Sequence, residues 1–167
     1  MRYLFIVLLL LFVSGCNLKP VYDTEYSNSE VVKNLESIEV ESIKTIEGAV
    51  EGAEFYHRLT IILPQKTKAK YILKAELAGA TTPATIEKNS NVLREYINQL
   101  VKYQLVDIES QKVLIKEKFY QSTSYNSIFT PYASSVERDE TGIDLAYAAA
   151  EEIRRRIILY FTRNNNL

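Results

Sequence analysis

Eleven apolar residues, Tyr3-Leu-Phe-Ile-Val-Leu-Leu-Leu-Leu-Phe-Val13, stand directly behind the one positive charge of Met1-Arg2. A run of this length fits the roughly 7–15 residue core of a secretory signal and falls short of the roughly 20 residues that span a bilayer. The run is therefore expected to be cleaved, leaving the rest of the chain to fold outside the cytoplasm. With 167 residues, 47% of them hydrophobic and 25% charged, that remainder suffices for one core and one domain.

The run ends at Val13-Ser14-Gly15-Cys16, and Cys16 is the only cysteine in the chain. Small residues ahead of a cysteine resemble the bacterial lipobox, in which the cysteine is acylated and becomes the new N-terminus. Residues 1–15 are then a lipoprotein signal peptide and residues 16–33 a lipidated tether containing Pro20, while residues 34–167 form a single α/β domain. One acyl chain holds a protein on a membrane only marginally, whereas a multiply acylated cysteine anchors it stably. The covalent lipid on Cys16 is the only prosthetic group expected. Asn17 after the cysteine resembles lipoprotein sorting patterns that favour the outer membrane.

Charge and rare residues narrow the function. The net charge is −1, which argues against binding nucleic acid, where a basic excess neutralises phosphates. A single histidine, His57, and a single cysteine leave no His/Cys metal cluster and no catalytic Cys-His pair to build. His57 reads as an ordinary helix residue, and no enzyme activity is expected.

Hydrophobic periodicity outlines the domain. Ile38 and Val40 alternate with Glu39 and Glu41 within residues 35–43, a short strand with one wet side. Phe55, Leu59, Ile62 and Leu63 recur at helical spacing until Pro64. Tyr71, Leu73, Ala75 and Leu77 alternate with Lys70, Lys74 and Glu76 as a second strand, and residues 79–91, with Thr81-Thr82-Pro83, read as a polar loop. Residues 92–108 and 113–125 form two more strands joined by turn residues 107–112, and an antiparallel hairpin is expected. Residues 126–135 read as a loop around Pro131. From Ile143 a stripe of Ala146, Tyr147, Ala150, Ile153, Ile157, Ile158 and Phe161 predicts a long amphipathic helix, its Arg154-Arg155-Arg156 run read as a solvated face. The order strand, helix, strand, strand, strand, helix predicts an α+β two-layer sandwich, with two helices on one face of a roughly four-stranded sheet.

Several separated segments resemble one family, the lipopolysaccharide-assembly lipoprotein LptE in its alphaproteobacterial form. Cys16-Asn-Leu-Lys-Pro-Val-Tyr22 resembles its opening, Tyr71-Ile-Leu-Lys-Ala-Glu-Leu77 its Tyr-x-Leu strand, and Asn91-Val-Leu-Arg94 the Thr-Arg step of its third strand. The most specific block is Thr123-Ser-Tyr-Asn-Ser-Ile-Phe-Thr-Pro-Tyr-Ala-Ser-Ser-Val-Glu-Arg-Asp139, similar to the family's Ser-Tyr-Asn, Pro-Tyr-Ala and charged run. Asn91 stands where a threonine is common, and Gly142-Ile143 interrupts the usual Asp-Ala-rich start of the last helix. The resemblance implies a non-catalytic lipoprotein that sits in the lumen of the outer-membrane barrel LptD, helps it fold and assists delivery of lipopolysaccharide. It also implies lipopolysaccharide contacts at Arg94 and Arg138, where guanidinium forks suit phosphate. Phe129, Pro131 and Tyr132 read as a partner-contact edge, with a loop folded under its own helix as the alternative. A lipoprotein that binds a small anionic or lipid ligand without a barrel is the competing function.

Overall fold

The computed structural model describes residues 30–41, 44–45, 49–86, 92–127 and 130–164. The signal peptide, Cys16 and Phe129 lie outside the described residues, as does the side chain of Pro131. The elements are α1 (Glu30–Leu35), β1 (Ile38–Val40), β2 (Lys44–Thr45), α2 (Ala49–Ile62), β3 (Tyr71–Ile86), β4 (Val92–Asp107), β5 (Val113–Asn126) and α3 (Pro131–Asn164).

The sheet order is β1-β3-β4-β5, and β2 continues the line of β1 along β3. β1 and β2 run parallel to β3, whereas β3–β4 and β4–β5 are antiparallel, so the sheet is mixed. Alternation along the strands sends Leu73, Ala75 and Leu77 of β3, and Ile97, Val101, Tyr103 and Leu105 of β4, to the helix side, where all are buried. Phe55, Leu59 and Leu63 from α2 and its exit meet them, together with Ala146, Ala149, Ala150, Ile153, Ile157 and Phe161 from α3. The α+β two-layer class expected from periodicity is the observed one, with a third, short helix added.

Four boundaries differ from the expectation, each for a physical reason. The stretch read as tether up to residue 33 ends in α1, whose Val31 packs on the core. The Ser37 carbonyl just beyond α1 accepts the amide of Lys70 at 2.9 Å, which ties this segment to the start of β3. Residues 79–86, read as loop, continue β3. β1 and β2 cover β3 only as far as Leu77, so Pro83 stands where one side of the strand has no described neighbour, and the register shifts between Pro83 and Thr85. Proline is accepted at such an edge or bulge because no ladder hydrogen bond is lost. The loop expected over residues 126–135 is likewise shorter, because α3 begins at Pro131. The first helical position needs no amide, so proline suits it, and the Ser134 amide already reaches the Thr130 carbonyl at 3.1 Å. Finally, α3 runs straight through Gly142. A Cβ there would lie 2.9 Å from Oε1 of Glu51, so the glycine admits the first turn of α2 against α3.

The β4–β5 turn is as expected. Oδ1 of Asp107 accepts both the amide and the hydroxyl of Ser110 at 2.7 Å, holding the carboxyl below its usual range, and Gln111 takes a left-handed φ of 57°.

Candidate functional site

The residues singled out by sequence gather at the end of the sheet where β5 passes into α3, but on two different sides of it. Glu95 and Tyr125 are register partners on β4 and β5 and face the helices. The buried Tyr125 hydroxyl donates to the Glu95 carboxylate, and burial together with that carboxylate pushes the phenol up to about 12. Arg138, one helical turn into α3, clamps Asp139 through Nε at 3.0 Å and Nη2 at 2.8 Å. Its charge also acts on Tyr125 and is itself supported by Glu51. The adjacent Glu137 accepts the backbone amide of Asn126 at 3.4 Å, fastening the end of β5 to the helix.

Arg94 pairs in register with Asn126, and alternation puts it on the opposite face from Glu95, with Tyr96 and Asn98. It is exposed and has no ion-pair partner among the described residues. One phosphate group therefore does not meet both Arg94 and Arg138. Arg94 is a free cation on the open face, whereas Arg138 is engaged on the helix face. Tyr132 lies in the first turn of α3 rather than in a loop, and its side chain is 81% exposed. The alternative of a loop folded under its own helix is not what Tyr132 does.

Beside Arg138, a cavity of about 390 Å³ opens between sheet and helices, floored by Leu77, Gly79 and Ile97 and walled by Val50, Glu51 and Gln99. Gln99 is 2% exposed. Its amide donates to the Gly142 carbonyl at 3.3 Å and its oxygen accepts from Gln121 at 2.9 Å. Sequence reasoning passed over both glutamines because neither carries charge or motif. The one available signal was a polar residue at an inward position of an otherwise apolar alternation.

The arginine run is also more engaged than a solvated face. Arg156 bonds Glu152 at 2.6 Å and Glu117 on β5 at 2.8 Å, and its guanidinium lies 4.7 Å from the centre of the Phe119 ring. Glu117 additionally accepts the Tyr103 hydroxyl at 2.9 Å, and both partners hold its carboxyl below the usual range. His57 is exposed on α2. Among the described residues no group of three or more His, Cys, Asp or Glu is arranged to hold a metal ion, and no helix is long and apolar enough to cross a membrane.

A protein from Rickettsia prowazekii (strain Madrid E), uncharacterized protein RP188, is 66% identical over 163 residues, covering 98% of this chain and 99% of its own. The chain belongs to the same protein family as RP188. No protein-family model matches the chain. Its fold is shared with three solved lipoprotein structures at low sequence identity. A protein of Caulobacter crescentus CB15 assigned as a lipoprotein superposes with a TM-score of 0.62 at 19% identity, covering 81% of this chain and 98% of that one. Rare lipoprotein B from Shewanella oneidensis gives 0.58 at 13% identity, over 76% and 99%. Lipoprotein B from Nitrosomonas europaea gives 0.55 at 13% identity, over 75% and 88%. The members of the RP188 family thus carry a fold that recurs among bacterial lipoproteins.

Proposed function

We propose that the chain is a lipid-anchored outer-membrane lipoprotein of the LptE type, which acts without catalysis beside an LptD-like barrel in the delivery of lipopolysaccharide to the cell surface. The observation that carries this reading is the fold shared with rare lipoprotein B and the two other lipoproteins, in a chain whose only cysteine follows a signal-like apolar run. The covalent lipid on Cys16 is the anchor and no other cofactor takes part. A two-layer body suits a barrel plug because one face of its sheet is left to polar side chains, and the lumen of a large barrel is polar. Arg94 on that face would meet a lipopolysaccharide phosphate, and Tyr132 with its neighbours Phe129 and Pro131 would meet the barrel.

Affinity capture of the tagged full chain from detergent-extracted membranes tests the proposal. A large outer-membrane barrel that stays bound through stringent washing is expected, and Cys16→Ser should abolish acylation of the chain. Capture of the acylated chain with no barrel would favour the competing reading, a lipoprotein that binds a small anionic or lipid ligand alone.

A further inference from the structure

The face of the sheet turned away from the helices carries an unbalanced cluster of lysines. Lys102 of β4 and Lys118 of β5 are register partners, directly opposite one another, and alternation places both on the open face. Like charges directly opposite on neighbouring strands are destabilising. The next rung pairs Lys116 with Gln104, and Lys74 of β3 stands beside Gln104 in turn. Lys74 is neutralised by Glu41 at 2.8 Å, and Lys102 has only a loose partner in Glu76 at 3.6 Å. Lys116 and Lys118 have no carboxylate within ion-pair distance among the described residues. Glu117 lies between them in sequence but faces the helices, bound to Arg156 and Tyr103.

These lysines line a trough of about 700 Å³ on the sheet surface. Four ammonium groups around it face two carboxylates, an excess of positive charge in a chain whose net charge is −1. One rung further along the same face, about 7 Å away, Leu100 and Tyr120 form the next opposed pair, and Tyr120 is 73% exposed. Cations in a concavity with an apolar and aromatic pair at its rim match an amphiphile bearing an anionic headgroup. A concave trough does not complement the concave inner wall of a barrel.

We propose that this trough binds the phosphate monoester headgroup of a lipid, with Lys102, Lys116 and Lys118 around the phosphate and the Leu100–Tyr120 pair under the start of the apolar tail. The site is separate from Arg94, which lies eight residues along β4 from Lys102, and it requires no barrel partner.

Titration calorimetry on the full chain in maltoside detergent tests it, with dioctanoyl phosphatidic acid, dioctanoyl phosphatidylcholine and inorganic phosphate as probes. Phosphatidic acid should bind at least about tenfold more tightly than the choline lipid and weaken with added salt, because the contacts are exposed charges. The double variant Lys116→Gln/Lys118→Gln should lose about tenfold in phosphatidic acid affinity. Its melting temperature should hold or rise, since the Lys102–Lys118 repulsion is relieved. Tyr120→Ser should weaken phosphatidic acid while leaving inorganic phosphate unchanged. Wild-type affinity for phosphatidic acid in the double variant overturns the proposal. So does inorganic phosphate binding as tightly as the lipid with Tyr120→Ser silent, which would make this a free-phosphate site. Barrel capture by the same double variant is read separately. Unchanged phosphatidic acid binding with the barrel lost would make the face a protein interface and overturn the lipid site, whereas lost lipid binding with the barrel retained supports it.

Discussion

The side-chain amide of Gln121 bridges the two layers of the protein, donating to the Gln99 oxygen at 2.9 Å and to the Leu145 carbonyl of α3 at 2.8 Å. Gln99 in turn donates to the Gly142 carbonyl, so two register partners on β4 and β5 fix the lengthwise position of α3. Apolar packing alone does not choose between neighbouring placements of a helix on a sheet, whereas two hydrogen bonds to carbonyls three residues apart do.

Removing one member of this pair leaves the other buried and unsatisfied. Gln121→Leu should destabilise by about 1–3 kcal/mol, and Gln99→Leu similarly. The double variant should cost less than the sum of the two, because both orphaned groups disappear together. Urea melts of the two single variants and the double variant check this.

Gly142 sits in a helix interior, where alanine is ordinarily better by about 1 kcal/mol. A Cβ would press on Oε1 of Glu51 at 2.9 Å and its Cγ at 3.1 Å, so Gly142→Ala alone should be close to neutral. In a Glu51→Ala background the obstacle is gone, and the same substitution should raise stability by about 0.5–1 kcal/mol. Thermal melts of the four proteins decide it.

Acid stability depends on Arg156. The guanidinium, with Tyr103, lowers the folded-state pKa of Glu117, and with Arg155 it lowers that of Glu152. A depressed carboxyl contributes stability above its ordinary value of 4.5, and that contribution is lost as the pH falls through the folded value. Arg156→Gln should therefore melt lower than the parent at neutral pH, and its melting temperature should fall less steeply below pH 4.5. Parallel curves for the two proteins would show that the pair contributes nothing to acid sensitivity.

Tyr132 at 81% exposure can be changed without touching the core. Tyr132→Glu should melt with the parent and lose barrel capture by about tenfold or more, since an unpaired charge in a dry contact forfeits its hydration. Circular dichroism and affinity capture on the same preparation provide the two readings.

Local pattern determined most of the frame. The alternation of Leu73, Ala75 and Leu77, that of Val101, Tyr103 and Leu105, and the helical stripe from Ala146 to Phe161 each bury one face, and an element with one apolar face must cover it with another. The class, the β4–β5 hairpin and the core were therefore legible in the chain itself. Punctuation residues were not, because proline and glycine act through their neighbours. Pro83 breaks a central strand but is accepted once β1 and β2 stop at Leu77, and Pro131 breaks a helix everywhere except at its first position. Gly142 has meaning only beside Glu51. The candidate sites depended on the tertiary structure in the same way. Sequence marked Arg94 and Arg138 as separate cations, but only the pleat and the placement of α3 decided that they stand on opposite faces of the sheet. Register alone set Lys102 against Lys118, since which residues face each other across strands is settled by pairing between segments far apart in the chain.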